Sequence, residues 1–338
     1  PAPIATRSEV AMRPASLSLD LDNLWSYMKT AGISGWQDFP SYLDLVTPRI
    51  LERLDRHGLK ITFFIVGHDA ALKENAAALR IIADSGHEIA NHSFHHEPWL
   101  SRRSREAMNA ELEAAEQAIG EATGQRTIGF RGPSFCLSTP LLDTLFERGY
   151  QYDASTLPTF LGPLARAYYF TRSDLSAAER RKRSLLFGSL ADGLRPIRPY
   201  EWKLPKGSMV EIPVTTIPVA RAPFHLTYLS FLATHSGAAA TAYWKAALAA
   251  CRVFGVEPSV LLHPLDFLGC DDLDILSRFP GMQLPSQRKL AIVDMVLSDL
   301  SRSHRVLTMR AYADEVRQRG LKLRQPSFEA DTAALAAS

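Results

Sequence analysis

Nothing in the 338 residues approaches the ~20-residue apolar run that a membrane-spanning helix needs. An excess of one charge is missing too. Lys and Arg number 38 against 36 Asp and Glu, a net +2, which leaves no electrostatic footprint for nucleic acid. Cysteine is scarce: Cys136, Cys251 and Cys270 are odd in number and far apart. They form neither a disulfide framework nor a CxxC metal pair, which suits a reducing, cytoplasmic setting. The stretch from Pro1 to Pro14 lacks the basic-then-apolar layout of a secretory signal. Internal repeats are absent. These gaps exclude a helical membrane span, a nucleic-acid binder and a disulfide-stapled domain.

What is present is alternation. With 46% hydrophobic residues the chain can bury a large core. Short apolar runs predict strands at 15–20, 61–66, 88–91, 127–130, 151–154, 209–214, 259–262 and 305–308. Amphipathic stretches between them predict helices at 42–57, 69–85, 101–123, 139–148, 238–253 and 287–301. Gly58, Gly86, Gly124 and Gly149 stand where those helices should stop, and Thr139-Pro140 reads as a helix cap followed by proline. Strand–helix alternation implies parallel strands joined by right-handed crossovers, an α/β barrel in one domain over 1–323. Residues 157–206 break the rhythm with Tyr168-Tyr169-Phe170, the basic run Arg180-Arg181-Lys182-Arg183, and then Pro196, Pro199 and Pro205. They read as an insertion near the mouth of the site, and 324–338 as a loosely ordered tail.

Chemistry-bearing residues collect at predicted strand ends. Asp20 and Asp22, one residue apart, share one face of an extended strand. One carboxylate can then bind a cation while its neighbour stays free to take a proton. Gly86-His87-Glu88-Ile89-Ala90-Asn91-His92-Ser93-Phe94-His95-His96 places His92 and His96 four apart after a strand, and neutral imidazole is a common metal ligand. His95 offers a competing pair with His92. Ser93 stands where the HExxH signature requires glutamate, which argues against a zinc protease. Arg131, just past a strand and before Gly132-Pro133, could hold a carboxylate through its guanidinium fork. His263 ends the apolar Leu261-Leu262 strand, where it could protonate a leaving amine with an acid such as Asp153 orienting it. Each feature alone is as readily a cap, a surface cluster or a buried ion pair; their shared location favours a site.

In order and spacing the chain resembles the polysaccharide deacetylase (NodB-homology) family of carbohydrate esterases. The matching pieces are Ser18-Leu19-Asp20-Leu21-Asp22, His92-Ser93-Phe94-His95-His96, Phe130-Arg131-Gly132-Pro133 and Leu261-Leu262-His263. The resemblance implies a distorted (β/α)7-8 barrel of the polysaccharide deacetylase type. It makes Asp20 the general base, with Arg131 tethering it and His263 the general acid. It makes Asp22, His92 and His96 the ligands of one divalent metal, zinc first, with cobalt, nickel or manganese as alternatives. Pro133, Phe135, Asp153 and Asp266 are expected to contact substrate. The implied reaction removes an N-acetyl group from an amino sugar in a saccharide or lipid-linked saccharide, with peripheral membrane contact and a cytoplasmic location as further expectations. Two departures stand out. Leu21 separates aspartates that many members hold adjacent, and Tyr152-Asp153-Ala154-Ser155 replaces a tryptophan motif. They keep open a hydrolase of small cyclic or ureide-like amides and a non-catalytic carbohydrate-binding relative.

Overall fold

The computed structural model describes residues 12–173, 175–184 and 186–328. Its strands are β1 (Pro14–Leu21), β2 (Thr62–Ile65), β3 (Glu88–Asn91), β4 (Gly129–Phe130), β5 (Tyr152–Asp153), β6 (Tyr200–Leu204), β7 (Gly207–Glu211), β8 (Ser259–Leu262), β9 (Arg305–Leu307) and β10 (Leu323–Arg324). They form one sheet in the order β10-β6-β7-β5-β4-β3-β2-β1-β8, with β9 pairing the start of β1. Every pairing is parallel except the β6–β7 hairpin. The segment after β7 curls round to the start of β8, where Thr215 N–H donates to Ser259 O (3.0 Å) and Ser259 N–H donates to Thr215 Oγ1 (2.8 Å).

Strand β1 shows why this sequence curls around a polar centre. Leu17, Leu19 and Leu21 alternate with Ser16, Ser18 and Asp20, and all are buried. The leucines join the core beneath the helices, whereas Ser18 and Asp20 turn to the inside of the sheet and meet Arg131. The outer core takes the buried stripe of the helix Leu43–Arg56, namely Leu43, Val46, Ile50, Leu51 and Leu54. Inside, Phe64, Ala90, Tyr152, Ala154, Val210 and Ile212 pack with Met309 and Tyr312 of the helix Met309–Gln318.

Gly58, Gly86, Gly124 and Gly149 all take left-handed φ values, 63°, 76°, 73° and 84°, as expected of helix stops. Several sequence expectations need correction. The cap at 139 is Ser138, whose hydroxyl accepts from Leu141 N–H, with Thr139 and Pro140 already helical. The helix expected over 69–85 is broken into Gly67–Ala71 and Ala76–Asp84, because buried Asn75 between them bonds back to Asp69. Residues Leu24–Ala31 form a helix that the apolar pattern did not single out. The excursion after 157 contains helices Gly162–Arg172 and Ala177–Lys182 and a turn Leu190–Leu194, then returns to the sheet at Tyr200. Of the tail expected over 324–338, Arg324 pairs with Trp202 of β6 and Phe328 packs on Trp202; residues 329–338 lie outside the described residues.

Candidate metal centre and its surroundings

Strand register sets the site. Asp20 of β1 lies opposite Phe64 of β2, and Leu19 opposite Leu262 of β8, so His263 follows beside Asp20. His92 follows directly after β3 and Arg131 after β4. All of these side chains emerge at the carboxyl ends of parallel strands, where this architecture exposes its chemistry.

The His loop is bent back on itself. Ser93 and His96 both adopt left-handed φ, 63° and 51°, a costly conformation for residues with a Cβ. Asn91 Oδ1 accepts from Ser93 N–H (2.7 Å) and Ser93 Oγ accepts from His96 N–H (3.2 Å), which stabilises the bend. The result brings both imidazoles to one carboxylate oxygen. His96 Nε2 is 3.0 Å and His92 Nε2 is 3.4 Å from Asp22 Oδ1. His95, the rival for the pair, is withdrawn: its Nδ1 donates to Glu111 (2.7 Å), which also accepts the amides of Phe94 (3.0 Å) and His95 (2.6 Å).

Asp20 is held apart from this triad. Arg131, fully buried, donates through Nη1 to Asp20 Oδ1 (2.6 Å) and Ser18 Oγ (3.0 Å), and through Nε to Ala154 O (2.9 Å). Its guanidinium lies 4.2 Å over the Phe64 ring centroid. The Arg131 carbonyl accepts from His92 Nδ1 (2.6 Å). A carbonyl has no proton to give, so Nδ1 carries hydrogen and Nε2 is the ring nitrogen turned toward Asp22. One residue thus orients both the free carboxylate and a ligand.

Charge in the cluster is mutually reinforced. Burial works against ionised Asp22, but His96 and His92 outweigh it and hold the carboxyl well below its ordinary range. Burial likewise opposes charge on His92, and Asp20 with Asp22 overcomes it, raising that imidazole.

The donor set fits a divalent cation. Asp22, His92 and His96 each offer a ligand atom, all within 4.8 Å of one another. Asp22 Oδ1 is buried and receives no hydrogen bond. A tetrahedral ion with arms of about 2.0–2.1 Å needs ligand–ligand edges of about 3.3–3.4 Å, and the 3.0 and 3.4 Å separations are of that size.

The remaining expected residues fall around this centre in different ways. His263 is half-buried, its Nδ1 3.3 Å from Thr227 Oγ1 and its ring 6.2 Å from that of buried His225. Burial pushes the His225 imidazole down to about 3, helped by His263 and Arg131. Asp153 does not reach His263. It accepts from Ser155 N–H (3.0 Å) and Oγ (2.7 Å) and pairs with Glu211, its register partner on β7. Burial raises both carboxyls, and the neighbouring Asp153 charge pushes Glu211 further up. Ser155 Oγ in turn accepts from Gly132 N–H (2.8 Å), which ties this pair to the loop carrying Arg131 and Pro133. Asp266 is buried and accepts from His263 N–H (2.7 Å), bracing the turn after β8. Phe135 lines a cavity of about 70 Å³ between the Arg131 loop and the 157–195 excursion, shared with Ser155, Thr156, Lys182 and Phe187. A larger groove of about 560 Å³ lies on the outer helices around Arg105 and Glu147, away from the strand ends.

Sequence reasoning missed the support beneath Asp22. Asn23 caps the helix Leu24–Ala31 and donates to Asp69 Oδ1 (2.7 Å). Trp25 Nε1 donates to the same oxygen (2.8 Å), and the Trp25 ring meets His96 edge-on at 6.5 Å. Tyr42 OH donates to the Asp22 carbonyl (2.5 Å). The cap signal was legible at Asn23; its partner Asp69, 46 residues on, was not.

The fold and centre define an α/β barrel of parallel strands with an Asp-His-His triad at their carboxyl ends. Comparison with known proteins adds that residues 35–152 match the polysaccharide deacetylase family model. It is 33% identical over 106 residues to the peptidoglycan-N-acetylmuramic acid deacetylase PdaA of Bacillus subtilis, covering 31% of this chain and 39% of that protein. It is 26% identical over 110 residues to the peptidoglycan deacetylase of Helicobacter pylori, covering 32% and 36%. The chain therefore spans well under half the length of these relatives. A solved Mycobacterium smegmatis protein assigned to the polysaccharide deacetylases shares the fold, with TM-score 0.61, 22% identity and 96% of both chains covered.

Proposed function

We propose that the protein is a metal-dependent deacetylase that removes the N-acetyl group of an amino sugar in a saccharide or lipid-linked saccharide. The observation that carries this is the division of labour at one strand end: three ligand atoms converge while Asp20, next to them, is kept out by Arg131. The named activities of the relatives, which act on peptidoglycan, agree with it.

Asp22, His92 and His96 would hold the cation, zinc first among the candidates. When bound, a divalent cation supplies Lewis acidity that polarises an acyl carbonyl and acidifies water. Asp20, fixed by Arg131 and Ser18, takes the proton of the attacking water. Arg131 keeps that carboxylate in place through the change, since its own contacts to Ala154 and Phe64 do not depend on substrate. His263, on the neighbouring strand, delivers a proton to the departing amine. Phe135 and the adjoining cavity offer an apolar face for a sugar ring.

Metal analysis with acetate release from N-acetylglucosamine oligomers, peptidoglycan fragments and a cyclic amide tests the reading. Wild type should hold about one divalent ion per chain and release acetate from one of the sugars. His92→Ala should lose both. A metal-free His92→Ala protein that deacetylates at the wild-type rate overturns the mechanism, and ring opening of the cyclic amide alone overturns the substrate class.

A further inference from the structure

The excursion over 157–195 carries more exposed apolar surface than its place at the surface requires. In the helix Gly162–Arg172 the exposed positions are Leu164, Ala167, Tyr168, Thr171 and Arg172, with Leu161 just before them. That is a stripe at the 3–4 residue spacing of one helix face. A solvent-facing stripe is normally polar; here Leu164 is 67% exposed and the segment 157–173 contains no acidic residue. The nearby turn adds Leu190 at 62% and Leu194 at 76%.

These residues form one patch. A Cβ on Gly193, inside the turn, would lie 2.2 Å from the ring of exposed Phe160, and one on Gly162 would lie 2.2 Å from Phe187 O. Arg166 Nη1 donates to the carbonyls of Leu186 (3.0 Å) and Gly188 (2.9 Å), clamping helix to turn. Tyr168 packs edge-on against Phe231 (6.2 Å), which carries the patch onto the helix Leu226–His235. Single exposed hydrophobics are ordinary, but contiguous ones mark an interaction surface.

Charge identifies the partner. Residues 157–206 hold ten Lys and Arg against four Asp and Glu, although the whole chain is nearly neutral. Arg172, Arg180 and Arg181 are exposed beside the apolar stripe, with Arg172 over the Tyr168 ring. Of the acidic residues, Glu179 is engaged by Ser176 and Asp192 by Arg195. Pairing this face with a second copy about a two-fold axis would set like cations against each other. An anionic lipid surface satisfies both features, with apolar side chains in the acyl boundary and cations at the headgroups.

We infer that this face docks the protein on a membrane bearing anionic lipid. The docked face adjoins the metal centre. Arg183 lies 5.2 Å over the Trp99 ring and donates to Lys29 O (3.4 Å), Tyr169 OH donates to Thr30 O, and Lys29 Nζ donates to His95 O (3.1 Å). Docking therefore brings the strand-end site to the lipid surface. The inference stands on the excursion alone and does not require the proposed reaction.

Co-sedimentation of the full chain with vesicles tests it, using phosphatidylcholine alone and phosphatidylcholine mixed with phosphatidylglycerol, at low and high salt. Pelleting is expected only with phosphatidylglycerol and should weaken at high salt. Replacing Arg172, Arg180 and Arg181 by alanine should cost about fivefold per cation, on the order of a hundredfold in all. The Leu164→Asp/Leu194→Asp protein should lose at least about tenfold while keeping its metal and its acetate release from soluble oligosaccharides. No preference for phosphatidylglycerol, or undiminished binding by both variants, overturns the inference. So does a dimer that Leu164→Asp/Leu194→Asp dissociates without any vesicle binding. Vesicle binding by a protein that releases no acetate leaves docking standing and removes the deacetylase reading instead.

Discussion

Removing the Arg131 guanidinium should expose how the site balances stability against chemistry. Arg131→Met keeps an unbranched apolar stem in a position with no solvent exposure. It strips Asp20, only 4% exposed, of its guanidinium partner at 2.6 Å and leaves only the longer 3.9 Å approach of His92 Nε2 among the described residues. Breaking one side of a buried pair costs about 3–5 kcal/mol, because the other charge stays in a poor dielectric. Loss of the bond to Ala154 O adds about 1 kcal/mol. At about 2 °C per kcal/mol for a chain of this size, the melting temperature should fall by about 8–12 °C. Asp20→Asn alone strands the arginine and should also destabilise. The Asp20→Asn/Arg131→Met double variant removes both charges, so most of the loss should be recovered, with a coupling of about 2–4 kcal/mol in the cycle. Acetate release should vanish in all three. Thermal or urea unfolding of the four proteins measures it. If the double variant is as unstable as the sum of the singles, the pair is not what stabilises this end of the barrel.

Other perturbations probe the supports. Burial raises the Asp69 carboxyl to about 7, against the lowering pull of Asn23, Trp25 and Asn75. Its folded value lies above the unfolded one, so its contribution is full below about pH 4 and fades as pH rises through 7. Asp69→Asn keeps the accepting oxygen and should abolish that fade in urea midpoints between pH 4 and 8, whereas Asp69→Ala should destabilise at every pH. His87, 2% exposed, is lowered to about 4 by burial and Lys60, and its Nδ1 accepts from Ile61 N–H (3.1 Å). Its contribution is full above about pH 6.5 and is lost as pH falls toward 4; His87→Asn should flatten that acid limb, and an unchanged limb refutes the assignment. A Cβ on Gly132 would lie 2.1 Å from Cys136 O, so Gly132→Ala should displace the Arg131 loop and cut acetate release at least about tenfold with metal content retained.

Much of this was readable because it is local. The two-residue period of Ser16, Ser18 and Asp20 against Leu17, Leu19 and Leu21 states which face turns inward, and β3 and β8 fall at 88–91 and 259–262 as their apolar runs indicate. What escaped depends on contacts between distant segments. Glu111 decides between His95 and His96 from a helix 16 residues away, and no spacing rule foretells it. Glu211 claims Asp153 across β5 and β7, which leaves His263 with Thr227 and His225 from an unexpected helix boundary. Strand β6 was hidden among Pro196, Pro199 and Pro205, yet Tyr200, Trp202 and Leu204 alternate inward there. Proline read as loop punctuation because it borders the strand without entering it.

The inside of the barrel explains why the site opens at one end only. At the opposite end Glu88 is a second buried carboxylate, but both its oxygens are engaged: Thr62 Oγ1 donates to it (2.6 Å), Tyr152 OH (2.8 Å) and Arg310 N–H (2.9 Å) likewise. Met309 N–H donates to Thr62 Oγ1 (2.7 Å), so the helix Met309–Gln318 seals that mouth. Between the two carboxylate layers Phe64, Ala90, Tyr152 and Ala154 form an apolar plate. Among the described residues Asp20 is thus closed off from that mouth and faces the strand ends, where Asp22, His92 and His96 stand. Glu88 and Asp20 begin as the same kind of residue in the same interior. One is saturated by donors and becomes structure; the other is pinned on one oxygen by Arg131 and left with a free one beside the triad, and that difference is what makes it available for proton transfer.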